Sequence, residues 1–541
     1  MRIAKKIAIP MGWAMAILVW AIACFLFFQL YYPYHFFYQE QNQIFLLSAD
    51  YLVTYFHRPA WLACMLGDFL TQFYYYLYAG PVILTIALLT VGDMARRAMQ
   101  RAGLGIHVAF AIAMVLMTIE MVCCFKTTYR LSSVIALGGG LTVYWLYSFL
   151  FPVKGQRTDG KSRWMCGLAI LVLSVLTYWL FGYGCWAFQL LLLLEAFLHI
   201  MDRKYHWSIL FYCLPILLVW PIAHFAERHY YLSPDVSLTY PGIGQLSRPD
   251  MILEKDFAVS DEYHFGNWDK VVKMVEKADV HTDEMLFFYN LVQAQRGELP
   301  DHLLQFVPNQ LGTFYAIGPE TSRLTIINMN ELYWALGDMT LTERAAMMTH
   351  VFAPDNRNVK MIKRLAECNL VSGDTLAANK YLNILQHTWV YRTWADNIKA
   401  HNPKVWRYLI EKQESVNHAD TIRLSDNLHM VMMELLDSNP DNLVALDYIL
   451  CSTLLLKDLN NFKRDYDRYC MDTGKPRLKK LYQQALMIYL AGTQAPEEEW
   501  SKYIHDPSEL QRFKEYSAHR GDPRFNDTYW YYFDTAKAPQ V

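Results

Sequence analysis

The sequence predicts an all-α protein in two parts: a transmembrane bundle of seven spans, then a soluble α-solenoid. Two observations carry this reading. From Met1 to about Phe225 apolar runs follow one another with few charges, whereas from Glu227 to Val541 the charge density is that of a soluble domain. In that second half, apolar helical stretches end repeatedly at glycine, at intervals suited to pairs of helices. The chain has 541 residues, is 54% hydrophobic and 18% charged, and its mean hydropathy of +0.08 averages two unlike halves. A net charge of −2 gives no basis for nucleic-acid binding.

A helix needs about 20 apolar residues to cross the hydrocarbon core. Stretches that meet this need lie near Ile9–Leu30, Tyr76–Val91, Ile106–Phe125, Ser132–Phe151, Trp164–Gly182, Cys185–Met201 and Trp207–Phe225. Lys and Arg favour cytoplasmic loops. Arg2, Lys5 and Lys6 precede the first span, Arg96, Arg97 and Arg101 follow the second, Lys154, Arg157, Lys161 and Arg163 follow the fourth, and Arg203 and Lys204 follow the sixth. The opposite loops offer Arg58, Lys126 and Arg130. The expectation is therefore a multi-pass membrane protein with a cytoplasmic N-terminus, the Tyr31–Pro81 loop outside and a C-terminal domain outside after Phe225. The first span continues through Phe25–Leu30 without a small-residue cleavage site, so it reads as an uncleaved anchor. The domain division is expected at 1–226 and 227–541.

The loop from Tyr31 to Pro81 is dense in Tyr, Phe and Trp, residues suited to the membrane interface. Two short interfacial helices are expected on either side of His57-Arg58-Pro59. Glu40, Asp50 and Asp68 are set into this aromatic field. Partial desolvation there would bring a carboxylate toward the neutral range and make Glu40 or Asp50 a general base. Lys126 and Arg130, with Arg58 and His57 as further candidates, could hold a phosphate. The alternatives are a solvated carboxylate and basic residues that anchor span ends.

Other polar groups near the spans have structural readings as well. Glu120 can reach the interface or pair with Lys126. Glu195 and His199, four apart, share one helical face and suit an internal hydrogen bond. His224, Glu227 and His229 lack a metal-binding pattern such as HExxH, and no metal site is expected. Gly138-Gly139-Gly140 suits close helix packing. The cysteines show no CxxC spacing. P-loop, Rossmann, G-x-S-x-G and kinase signatures are absent from the sequence.

Around Gly373, LAECNLVSGDTLAANKYLNIL places Ala366 seven residues before the glycine and Ala378 five after it, followed by Leu382 and Leu385. The spacing resembles the tetratricopeptide repeat, in which small residues let paired helices approach. Weaker copies surround Gly266, Gly297 and Gly337, and Asp447–Tyr466 reads as a further helix pair turning at Lys457-Asp458. The alternative is a run of alternating helices with glycine caps. The stretch 307–326 breaks the pattern and reads as an insertion. The aromatic C-terminal stretch, with Trp500, Tyr503, Tyr516 and Tyr529–Phe533, is expected to cap the solenoid.

Seven spans, an acid-bearing first outer loop and an outer domain after the last span resemble the GT-C superfamily of membrane glycosyltransferases. Glu40, about ten residues after the first span, is similar in place to the catalytic acid of that superfamily. The resemblance implies transfer from a polyprenyl-phosphate-linked donor, with Glu40 or Asp50 as base and Lys126, Arg130 and Arg58 on the phosphate. It covers topology in 1–225 only, and Glu40-Gln41 stands where paired acids are common. The whole chain resembles an uncharacterised family of bacterial polytopic membrane proteins with helical-repeat outer domains, a resemblance that implies a bacterial inner membrane and a periplasmic C-terminal domain. The alternative function is a non-enzymatic membrane scaffold that recruits envelope proteins through the repeats. A transporter is a third class, for which the spans offer no inverted repeat. A membrane lipid and a protein partner are implied in either of the first two cases, and no cofactor follows from the sequence.

Overall fold

The computed structural model describes residues 10–151, 160–199, 206–307, 323–416 and 428–537. Among these the regular structure is helical, with no strand. The expected insertion at 307–326 lies largely outside the described residues. The chain divides into two compact units: 1–254 together with 384–393, and 255–383 together with 394–541. The composition shift near 226 and this packing division do not coincide, because residues 231–254 pack with the first unit.

In the first unit, α1 (Met11–Leu30) is followed by three short helices, α2 (Tyr34–Gln41), α3 (Ala49–Thr54) and α4 (Trp61–Thr71). The longer α5 (Ala79–Ala102), α6 (Ile106–Cys123) and α7 (Leu131–Leu150) come next. They are succeeded by α8 (Gly160–Phe181), α9 (Gly184–His199) and α10 (His206–Tyr230). Helices thus occupy all seven stretches read as spans. Among the described residues, four helices, α1, α5, α6 and α7, are long and apolar enough to cross a membrane. The apolar parts of α8 and α9, Met165–Phe181 and Gly184–Leu198, are shorter.

Helix α5 packs against α1, α6, α7 and α9, and α7 also meets α4, α8 and α9. Phe28, Leu88, Val134, Tyr144 and Phe188 lie buried in the shared core. Met15, Val19 and Ile22 of α1 and Val108 and Val115 of α6 are exposed, an arrangement suited to hydrocarbon rather than water. Glycine sets the closest helix approach. A Cβ on Gly140 would lie 1.8 Å from the carbonyl oxygen of Gly184, and one on Gly67 would lie 2.6 Å from the Ser132 Cα. Backbones can come this near only where side chains are missing.

The second unit starts within α12 (Met251–His264), which follows the short α11 (Pro234–Thr239). It continues through α13 (Trp268–Glu276), α14 (Asp283–Arg296), the single-turn α15 (Leu299–His302), α16 (Arg323–Leu336), α17 (Met339–Phe352) and α18 (Val359–Val371). Helix α19 (Thr375–Gln386) runs into the 384–393 segment, after which come α20 (Arg392–Lys399) and α21 (Pro403–Ser415). Neighbours pack as α13 with α14, α16 with α17, and α17 with α18. Gly337 (φ 78°) ends α16 in the left-handed region, and the Asp338 side chain then caps α17 by accepting from Leu341 N–H. Ala366 and Ala378, expected at a crossing, are fully buried.

Towards the C-terminus lie α22 (Leu428–Ser438), α23 (Leu443–Leu455), α24 (Leu459–Tyr466), α25 (Lys480–Gly492), α26 (Glu497–Tyr503), α27 (Pro507–Ala518) and α28 (Tyr529–Thr535). The aromatic terminal stretch is packed inward. Trp530 donates its ring N–H to the Gln484 carbonyl at 3.0 Å, and the Tyr529 and Tyr532 hydroxyls reach Leu454 and Leu455 carbonyls at 2.8 Å each.

Candidate functional site

The residues singled out in the 31–81 loop fall into separate environments. Glu40 is on α2 and 2% exposed. The Tyr391 hydroxyl donates to its carboxylate at 3.2 Å, and the Tyr75 ring lies 5.5 Å from that of Tyr391. Burial, and then the charge of Glu40, push the Tyr391 phenol well above its usual range, so it stays a proton donor. The same 384–393 segment accepts a second tie, from Leu47 N–H to the His387 carbonyl at 2.7 Å.

Asp50 is in a different setting. It is exposed in the first turn of α3, where a carboxylate suits the positive end of the helix. His57 is also exposed.

Asp68, on α4, is the loop acid that meets a cation. It accepts the Tyr55 hydroxyl at 2.8 Å and lies 3.4 Å from Nη2 of Arg58. The Arg58 guanidinium sits 4.1 Å from the Tyr55 ring centroid. Pro59 and the left-handed Ala60 (φ 53°) turn the chain between Arg58 and α4. One turn into α4, Cys64 is buried, hydrogen-bonded with Tyr240, and within electrostatic reach of Arg58, Asp68 and Arg130. Burial pushes its thiol up to about 12 despite the two arginines. Arg58 and Arg130, which come from different loops, thus both act electrostatically on this thiol.

Lys126, the remaining candidate cation, is exposed and donates to Gln245 Oε1 at 2.7 Å. Glu120, on α6, accepts the Tyr129 hydroxyl at 2.6 Å, and Tyr129 stands 3.5 Å from the Tyr183 hydroxyl. Glu195 accepts from Tyr144 at 3.1 Å, while the His199 side chain lies outside the described residues. His224 and Glu227 approach to 3.5 Å at a partly exposed position.

Buried charged groups among the described residues also lie outside the expected site residues, and two clusters of them stand out. In the first unit, Glu254 accepts the backbone N–H of Tyr34 at 2.5 Å and of His35 at 3.1 Å, which caps α2. The His35 ring stands 3.7 Å from the same carboxylate. Burial raises Glu254 to about 8, against the two backbone donors, and lowers His35 to about 3. In the second unit, Glu331 meets Lys360 at 3.0 Å and Arg364 at 2.7 Å, and Arg364 reaches Glu367 at 3.2 Å. All four are 8% exposed or less. Burial alone would raise Glu331, yet the two cations hold it well below the usual carboxylate range. The second cluster left a trace in the sequence, since Lys360, Arg364 and Glu367 recur on one face of α18. The first left none, because Glu254 and α2 are joined only by folding.

Residues 7–536 match the model of the family of unknown function DUF6057. The chain belongs to that family. No curated protein and no solved structure is detectably similar to it. Membership agrees with the expected placement among uncharacterised proteins, and the helical architecture with apolar, membrane-capable helices is what the structure adds.

Proposed function

We infer that the chain is a membrane-anchored scaffold. Seven spans in a bacterial inner membrane would hold a periplasmic α-solenoid, built on tetratricopeptide-like repeats, that recruits a protein partner. The observation that carries this reading is the environment of Glu40. A general base must face the hydroxyl it deprotonates, whereas Glu40 is buried and bonded to Tyr391. Asp68 is likewise engaged by Tyr55 and Arg58. Glu40 and Asp68 thus serve as ties, the first to the 384–393 segment and the second within the loop.

A second reading has its own support. In a GT-C-like transferase using a polyprenyl-phosphate donor, Arg58 and Arg130 would hold the phosphate, and their shared surroundings at Cys64 favour that role. Asp50 or Glu40 would then be the base, with Glu40 released from Tyr391. Turnover separates the two readings. Purified full-length protein is offered radiolabelled polyprenyl-phosphate sugars, alongside Glu40→Gln, Asp50→Asn and Asp68→Asn. The scaffold predicts no transfer by any form and altered stability in Glu40→Gln and Asp68→Asn. Transfer by the wild type that one of these changes abolishes, with folding intact, would establish the enzyme instead. Labelling of cysteines introduced at positions 101 and 126 with a membrane-impermeant reagent tests the topology, which predicts that only 126 reacts from the periplasm.

A further inference from the structure

Trp389 stands in the turn between α19 and α20 and is 57% exposed, whereas Thr388 and Tyr391 on either side of it are buried. The turn is held at its base, where the Thr388 hydroxyl donates to the Leu385 carbonyl at 2.7 Å and accepts the Tyr391 N–H at 3.1 Å. The bonds from Leu47 to His387 and from Tyr391 to Glu40 attach it to the 31–81 loop. Ring contacts extend these ties. Trp389 lies 6.3 Å from Phe73, and Tyr391 lies 5.5 Å from Tyr75, which stands 5.5 Å from Tyr76. Tyr76, Leu77 and Tyr78 are exposed and lead directly into α5. A single exposed ring would need no explanation. Here the exposed surface continues onto a helix long and apolar enough to cross a membrane. Tyr78, Val82 and Ile86, spaced four apart at the start of α5, are all exposed and form one apolar stripe. That stripe suits hydrocarbon rather than water, and it ends two residues from the Tyr76 ring.

We propose that the 384–393 segment is a membrane-contacting element whose Trp389 sits in the interfacial zone of the bilayer, as Tyr76 and Tyr78 do at the start of α5. The partner is the lipid surface itself. Trp and Tyr are favoured at that depth because the ring meets acyl chains while the N–H or hydroxyl reaches headgroups and water. The buried bond between Tyr391 and Glu40 then does more than stabilise, since together with the Leu47 bond it holds Trp389 at the end of a span. The inference rests on the membrane placement of α1 and α5 that both functional readings share, and it adds to the lipid-facing surface a segment more than 300 positions along the chain from α5.

The test uses the full-length chain reconstituted in phosphatidylcholine vesicles that contain a lipid spin-labelled either at the headgroup or at mid-chain. A fluorophore sensitive to polarity is attached through Trp389→Cys, through Ile86→Cys within the α5 stripe, and through Leu376→Cys at an exposed apolar position of α19 outside the segment. Wild type, whose described cysteines are buried, gives the background of labelling. The expected result is quenching at 389 by the headgroup label more than by the mid-chain label, the reverse order at 86, and loss of neither signal at 376. Quenching at 86 without quenching at 389 overturns the proposal and leaves the membrane placement standing. Absence of quenching at 86 overturns the membrane placement and the proposal with it. Quenching at 376 as strong as at 389 removes any special role of the segment and overturns the proposal too. A fluorophore at 389 that is shielded from water yet unquenched by either lipid assigns the surface to a second protein chain instead. If Trp389→Cys fails to fold, His387→Cys, exposed two residues earlier, keeps Trp389 in place and decides by the same comparison.

Discussion

The hydroxyl of Tyr391 donates to the carboxylate of Glu40 across 351 positions of sequence, at 3.2 Å and in a buried setting. The bond joins α2 to a ten-residue segment, 384–393, that packs with the first unit although the sequence on both sides of it belongs to the second. Tyr391→Phe should therefore destabilise the first unit by about 1–3 kcal/mol, because it removes a hydrogen-bond donor from a buried carboxylate. Glu40→Gln, which keeps an acceptor oxygen, should cost less. Thermal unfolding of the two variants in detergent checks the order, and a larger loss in Glu40→Gln than in Tyr391→Phe would contradict the account.

Glu254 and His35 predict a dependence of stability on pH. Glu254 is raised in the folded state to about 8, so the native protein binds a proton there that the unfolded chain, with an ordinary carboxylate near 4.5, has released. Its contribution is present below about 4.5 and is lost as pH rises towards 8. His35, lowered to about 3, acts in the opposite sense: the unfolded chain binds the extra proton between about 3 and 6.5, so stability rises with pH across that window. Above pH 6.5 Glu254 acts without His35. Glu254→Gln should flatten the fall in stability between pH 6.5 and 8 while its amide oxygen still caps α2, as measured by denaturant unfolding at several pH values.

The charge cluster of the second unit should behave as a fixed network. Glu331→Gln leaves Lys360 and Arg364 buried with their main counter-charge removed, and breaking a buried pair in this way costs about 3–5 kcal/mol. The folded state depresses the Glu331 carboxyl, so its stabilisation is present above the ordinary carboxylate range and lost as pH falls through the folded value. Chemical unfolding of the full chain, followed by tryptophan fluorescence, should show an acid-side loss in wild type that Glu331→Gln lacks.

The glycine run in α7 gives a discriminating pair. Gly140→Ala puts a Cβ into the Gly184 carbonyl, and overpacking of this kind costs about 1–3 kcal/mol or more. At Gly138 the Cβ would meet only the Val91 Cγ2 at 3.2 Å, a side chain able to give way. Gly138→Ala should therefore be close to neutral. Comparison of the monodisperse yield and melting temperature of the two variants tests whether backbone contact between α7 and α9 holds the bundle together.

The local parts of this protein were legible in its amino-acid order. Apolar runs mark the stretches that became α1 and α5 to α10. Gly337 and Gly373 stand at positive φ where the helices were expected to end. Both follow from short-range rules, the helical period and the backbone freedom of glycine, which a window of a few residues contains. The acids were legible as a set but not in their uses. Glu40, Asp50 and Asp68 look alike in an aromatic loop, yet one is buried on Tyr391, one faces solvent and one meets Arg58. Likewise, Arg58 and Arg130 lie on either side of two long helices, and Glu254 is more than 200 residues from the helix it caps. Burial and charge pairing depend on neighbours that only packing supplies, and no spacing along the chain encodes them. Sequence alone determined where helices form and which are apolar; the tertiary structure decided which charges meet, because Coulomb and hydrogen-bond energies depend on distance in space rather than along the chain.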